Sequence, residues 1–176
     1  MPGDWPDTGQ HETRHDSGMA SPKLSQHRQS KTGCLYAVTT ATYRRLPLLT
    51  SKTAANVVSD EINTCAIAGL VENFAWVVMP DHIHWLLQLR SDHLKICLQR
   101  FKSRSARAIN IALGRDGTVW QPGFYDHYLR SDEDLRKQAQ YIVQNPVRAG
   151  IAARIEDYPH WWCEWIRDSS DLQMDI

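Results

Sequence analysis

An α+β fold, a sheet with helices mainly on one face, follows from three observations on this 176-residue sequence. Short β-branched and aromatic runs alternate with helical periods in the order β-α-β-β-α-β-α, the strands are few, and no internal repeat divides the chain into modules. Apolar residues make up 42% of the chain, enough for the core of one folded unit.

The elements are justified in order. Residues 1–32 are polar, rich in Gly, Pro, Ser, Asp and His, and lack an apolar period, so they are expected to be a disordered tail ahead of a domain over 33–167; residues 168–176 form a polar C-terminal tail. Leu35 to Tyr43 is a strand by its aromatic and β-branched content. Thr50 or Ser51 caps a helix whose apolar stripe, Ala54, Val58, Ile62 and Cys65, ends near Gly69. Phe74 to Met79 reads as a second strand, Pro80-Asp81 as a break and His82 to Leu89 as a third strand. On that strand His82, His84, Leu86 and Gln88 share one face, while Ile83, Trp85, Leu87 and Leu89 share the other and pack against helices. Residues 93–113 predict an amphipathic helix with Leu94, Cys97, Leu98, Phe101 and Ala108 on its apolar side. Val119 to Leu129 predicts a strand, or two short ones broken at Pro122-Gly123. Ser131 then caps a last helix, with acids at 132–134 in its first turn, that runs through Leu135, Ala139, Tyr141 and Ile142 and stops at Asn145, because Pro146 disfavours helical geometry in the residue before it.

Composition excludes several classes of function. No run approaches the roughly 18 apolar residues of a membrane span, and no apolar secretory signal opens the chain, so the protein is expected in the compartment where it is made. Cys34, Cys65, Cys97 and Cys163 form no C-x-x-C pair, which removes zinc ribbons and redox motifs and leaves each as a small apolar filler. Net charge is zero, yet residues 90–115 hold seven Lys and Arg against Asp92 alone, a local charge of +6, with most of the compensating −6 after residue 115. Arg100, Arg104 and Arg107 recur at helical spacing, a stripe that is either a nucleic-acid footprint or a solvated helix face.

His82 and His84 carry the chemistry. Residues i and i+2 project from the same face of a strand, so two imidazoles can converge on one metal ion; two histidines satisfied by backbone or water are the plainer alternative. Tyr141 and Asn145, four apart, lie on one helical face. A catalytic divalent cation needs about three protein ligands plus open positions, and two imidazoles with one amide oxygen meet that count while leaving room for a phosphate oxygen. Tyr125 and Tyr128 are rival nucleophiles, ranked below Tyr141 because neither has a polar partner at i+4 in helical register.

Four segments together, Val77 to Trp85, Phe101 to Asn110, Val119 to Arg130 and Tyr141 to Gly150, resemble the REP-associated tyrosine transposases, which belong to the single-tyrosine HUH endonucleases. The resemblance covers about residues 33 to 160. It implies a ferredoxin-like antiparallel sheet with the histidines on a central strand. It also implies that His82, His84 and Asn145 hold Mg²⁺ or Mn²⁺, that Tyr141 is the nucleophile, and that the reaction is cleavage and rejoining of single-stranded DNA at palindromic hairpins through a 5′-phosphotyrosine. Partners would be DNA hairpins with a flanking single strand, and a second copy of the chain in a possible homodimer. The setting implied is the bacterial cytoplasm, at the nucleoid. Candidate DNA contacts are Arg100, Lys102, Arg104, Arg107, Arg130 and Arg148. The alternatives are a hairpin-binding regulator of the same fold that does not cleave, and a small metallohydrolase using a metal-bound water. The chain departs from the family pattern in its N-terminal tail and after Pro159, where Trp161, Trp162 and Trp165 are either a base-stacking platform or a closure of the core.

Overall fold

The computed structural model describes residues 30–91, 93–130 and 135–173. Most of the expected N-terminal tail, the Ser131 cap with its three acids, and residues 174–176 therefore lie outside the described residues. The elements run β1 (Leu35–Ala41), α1 (Lys52–Ile67), β2 (Val71–Met79), β3 (His82–Leu89), α2 (Leu94–Ala112), β4 (Tyr125–Leu129), α3 (Leu135–Val143), α4 (Asn145–Arg148) and β5 (Trp161–Cys163). The sheet has the order β4-β1-β3-β2-β5, and every pairing is antiparallel.

β3 sits at the centre because both of its faces are usable. Ile83, Trp85, Leu87 and Leu89 are fully buried, packed with Ala54, Val58 and Ile62 of α1 and with Leu98 and Phe101 of α2. The two long helices thus cover one face, as the sequence predicts. Trp85 anchors this layer: its ring lies 5.4 Å from that of Phe101, and its Nε1 donates to Asn73 Oδ1 at 2.9 Å. The opposite face carries a smaller core in which Ala37, Ala75, Val77, Met79 and Leu86 pack against Ala139, Ile142 and Val143 of α3. His82 and His84 project from this second face, called the site face below.

Three expectations are corrected. β4 starts only at Tyr125; upstream, Trp120 makes one isolated bridge to Thr42, since Pro122 and Gly123 supply no ladder. The last helix does not stop at Asn145. α3 ends at Val143 and α4 begins at Asn145, because Pro146 is accepted in the first turn of a new helix, where its missing N–H costs nothing. The third correction adds β5, which pairs with β2 through Ala75, Trp76 and Val77. Trp165 stacks on Phe74 with centroids 5.6 Å apart and rings 11° from parallel, so Trp161 and Trp165 close the site-face core; only Trp162 of the three is exposed. At the start of α1, Ser51 holds the cap position without a side-chain cap bond.

Replacing Trp85 with Ala opens a cavity that β3 and α2 cannot refill and leaves Asn73 without its donor. The expected cost is about 3–5 kcal/mol, read as a lowered denaturant midpoint in equilibrium unfolding.

Candidate active site

His82 and His84 meet through their Nε2 atoms, 3.1 Å apart, with the rings nearly perpendicular. Each Nδ1 is engaged elsewhere: His82 Nδ1 lies 2.6 Å from Asp81 Oδ1, and His84 Nδ1 lies 2.8 Å from Thr39 Oγ1. An ionised carboxylate only accepts, so His82 Nδ1–H donates to Asp81 and Nε2 is the atom turned toward His84. The partner position is set by the register of β1, which places Thr39 directly opposite His84. Neither Asp81 nor Thr39 was singled out from the sequence. Asp81 adjoins His82 in the chain, whereas Thr39 is 45 residues from His84 and only strand pairing joins them.

The electrostatics hold His84 neutral. Burial of the ring, then the charges of His82, Arg45 and Arg148, push its pKa down to about 3. For Asp81, burial opposes ionisation, but the His82 hydrogen bond and charge and the Arg45 guanidinium outweigh it and leave the carboxyl below its ordinary value. Arg45 reaches Asp81 with Nη1 3.3 Å from Oδ2. It does so from a strained segment, since Arg44 and Arg45 have φ of 54° and 56°, a left-handed pair that costs non-glycine residues of order 1 kcal/mol or more each.

α3 packs on β2 and β3 on the site face and carries Tyr141. Arg148 of α4 lies over the Tyr141 ring, 3.8 Å from its centroid, and donates from Nη2 to Tyr141 Oη at 2.9 Å. A cation and a donor therefore sit together at the phenol oxygen. Asn145 repairs the break between the helices. Pro146 has no N–H to give to Ile142 O, and Asn145 Nδ2 donates there at 3.0 Å and to Tyr141 O at 3.0 Å. The amide is thereby oriented, and Oδ1 is left as its accepting atom. Of the sequence candidates, His82, His84, Tyr141, Asn145 and Arg148 thus gather on the site face and the helices packed on it.

The basic stripe does not join them. α2 lies on the opposite face of the sheet, and Arg104 Nε pairs with Glu61 Oε1 of α1 at 2.8 Å. Lys102 turns inward, its Nζ donating to the carbonyls of Gln121 (2.9 Å) and Gly123, and burial lowers its pKa to about 8. Arg130 follows β4 at the end of the sheet away from His82, because Leu129 pairs with Leu35 while His82 pairs with Ala41. Arg148, named among the candidate DNA contacts, lies on Tyr141. The rival tyrosines separate by face: Tyr128 stands opposite Tyr36 on the α1–α2 side, ring centroids 5.9 Å apart, whereas Tyr125 stands opposite Thr39 on the site face.

Comparison with known proteins gives these residues a family. A family model described as "Transposase IS200 like" matches residues 30–145, about two thirds of the chain. The chain belongs to this family of transposases. REP-associated tyrosine transposase of Escherichia coli K12 is 32% identical over 87 residues, covering 48% of this chain and 50% of that protein. A Haemophilus influenzae protein of the same family name is 32% identical over 100 residues, covering 51% and 57%. The matched region thus spans about half the length of these relatives. A solved REP-associated tyrosine transposase bound to a REP hairpin superposes with a TM-score of 0.64 at 27% identity, covering 78% of this chain and 81% of that one. The five-stranded antiparallel α+β architecture of this transposase-family chain is shared with that structure. Among the described residues no helix is long and apolar enough to cross a membrane, and no third His, Cys, Asp or Glu completes a metal cluster with the histidine pair.

The His84 environment makes a pH prediction. Its folded pKa lies near 3 and its unfolded value near 6.5, so below about pH 6.5 the unfolded chain takes up a proton that the folded chain refuses. Stability falls as pH drops through this window, with a slope approaching about 1.4 kcal/mol per unit. Asp81, depressed from 3.8, contributes stability that is lost only at lower pH. Urea midpoints taken from pH 7 to 4.5 should therefore decline less steeply in His84→Gln than in wild type.

Proposed function

We propose that this chain is a metal-dependent, single-tyrosine endonuclease and transposase that cuts and rejoins single-stranded DNA at palindromic hairpins. The observation that carries the reading is the convergence of the two Nε2 atoms at 3.1 Å with both Nδ1 atoms braced, on the face where α3 packs with Tyr141. Hairpin DNA as the substrate class is supported by the solved relative, which is bound to a REP hairpin.

The two imidazole nitrogens, 3.1 Å apart, form a donor pair that one divalent cation could share, and an amide oxygen would add a harder donor. His82 and His84 would hold Mg²⁺ or Mn²⁺ with Asn145 Oδ1 as third ligand, and the bound ion would polarise the scissile phosphate and neutralise its charge. Asp81 and Thr39 fix the orientation of the two rings, the usual role of groups behind a metal ligand.

Tyr141 Oη attacks phosphorus, the bond from phosphorus to the 3′ oxygen breaks, and a 5′-phosphotyrosine and a 3′-hydroxyl result. The phenol proton leaves to solvent, and the departing 3′ oxygen takes one up. Arg148 donates to the oxygen that carries negative charge as the proton leaves, and its stack on the ring holds the nucleophile in place. In reverse, the 3′-hydroxyl of a second strand attacks the phosphotyrosine, so the strand is rejoined without ATP. Arg45 and Arg148 supply positive charge at the site, while Arg100 and Arg107, on the other side of the sheet, would meet DNA away from the scissile bond.

The test is a denaturing gel of protein incubated with hairpin oligonucleotides drawn from palindromes near the gene, with Mn²⁺. Wild type is expected to form a covalent adduct that disappears with EDTA and in Tyr141→Phe, and that forms at least tenfold more slowly in Arg148→Ala. Cleavage without an adduct would favour a metal-bound water as nucleophile. Binding of the hairpin with neither adduct nor cleavage would favour the regulator.

A further inference from the structure

We propose that Tyr125 is a base-stacking subsite for single-stranded DNA, next to the histidine pair; the inference deepens the function proposed above and rests on it. It begins with a row across the sheet. Tyr125 of β4 stands opposite Thr39 of β1, and Thr39 stands opposite His84 of β3, so all three side chains project from the site face. With neighbouring strands about 4.8 Å apart, Tyr125 and His84 are separated by about 10 Å, the span of one nucleotide from its phosphate to the far edge of its base.

Burial along this face is uneven. Ala75, Val77, Met79 and Leu86 are buried with α3, as are Ala37 of β1 and Leu129 of β4. On the row of Thr39, by contrast, Tyr125 is 40% exposed. An exposed tyrosine offers ring surface for stacking, and the residue between it and His84 is the small, half-buried Thr39. Arg45 and Arg148 put positive charge at the histidine end of the row. Charge at one end and an aromatic face one nucleotide away is the pattern that single-strand binders use, phosphate on the cations and base on the ring.

The platform is also held rigid. Ahead of Tyr125, Lys102 Nζ donates to the carbonyls of Gln121 and Gly123, and Gln121 N donates to Ala41 O at 3.0 Å. A ring presented from a tied strand loses little conformational entropy on stacking. Tyr128, the other exposed tyrosine of β4, cannot serve because it projects from the opposite face onto Tyr36.

The experiment measures fluorescence anisotropy of labelled dA15 titrated with the full chain and Mn²⁺, in parallel with adduct formation on hairpin DNA. Tyr125→Ala is expected to weaken dA15 binding about tenfold, while Tyr125→Phe, Tyr125→Trp and the remote Trp162→Ala stay within twofold of wild type. Wild type is also expected to bind an abasic 15-mer about tenfold more weakly than dA15, a comparison that needs no variant. Melting curves establish that each variant is folded. Tyr125→Ala binding dA15 within twofold of wild type overturns the subsite, as does equal loss in Tyr125→Phe, which would assign the effect to the hydroxyl. A normal wild-type adduct together with unchanged Tyr125→Ala binding removes the subsite alone. Ring-dependent dA15 binding with no adduct on any hairpin removes the cleavage reading and leaves the subsite standing.

Discussion

The register of β3 between β1 and β2 is the constraint on which the site depends. β3 is paired along its length on both sides, with His82 opposite Ala41 and Met79, and His84 opposite Thr39 and Val77. A slip of one residue would turn Ile83, Trp85 and Leu87 out of the main core and send both histidines into it. The burial of Trp85 against Phe101 therefore does more than stabilise the sheet: it forces the alternate residues to face α3. The same register sets Thr39 behind His84, so the core that carries most of the apolar burial also aims the imidazoles.

A second constraint comes from Pro146. Its missing N–H divides what would have been one helix, and Asn145 is recruited to satisfy the carbonyls left at the break. The division matters to the site because α4 brings Arg148 back over Tyr141. One imino acid thus couples the orientation of the amide, the placement of the guanidinium and the restraint on the phenol ring. Arg44 and Arg45 illustrate the complementary case, in which a strained backbone is retained beside Asp81, where it delivers charge to the histidines.

Much of this was legible in the sequence where the signal is local. The alternation in His82–Leu89 assigned a face to each residue correctly, because a strand with two different faces has only one way to sort them. The apolar stripe of α1 and the long amphipathic period of α2 were equally plain. Signals requiring two distant segments were not. β5 is three residues long and reads as aromatic clutter until it is laid along β2. The cations of α2 looked like one stripe because helical spacing is local. Their fates diverge with their neighbours: Arg104 meets Glu61 of α1, and Lys102 is drawn to two loop carbonyls.

By itself, then, the sequence determined the type of nearly every element, the face from which His82 and His84 project, and the closeness of Tyr141 and Asn145, which the structure places on either side of the α3–α4 break, since each follows from spacing along a few residues. The tertiary structure alone decided that α3 lies across the sheet from α2, that Thr39 and Asp81 brace the imidazoles, that Arg148 rather than the α2 stripe stands at the phenol, and that Tyr125 shares the row of His84 while Tyr128 does not. The physical reason is that strand pairing and helix docking join residues tens of positions apart, and no local period encodes which of the available partners a side chain will meet.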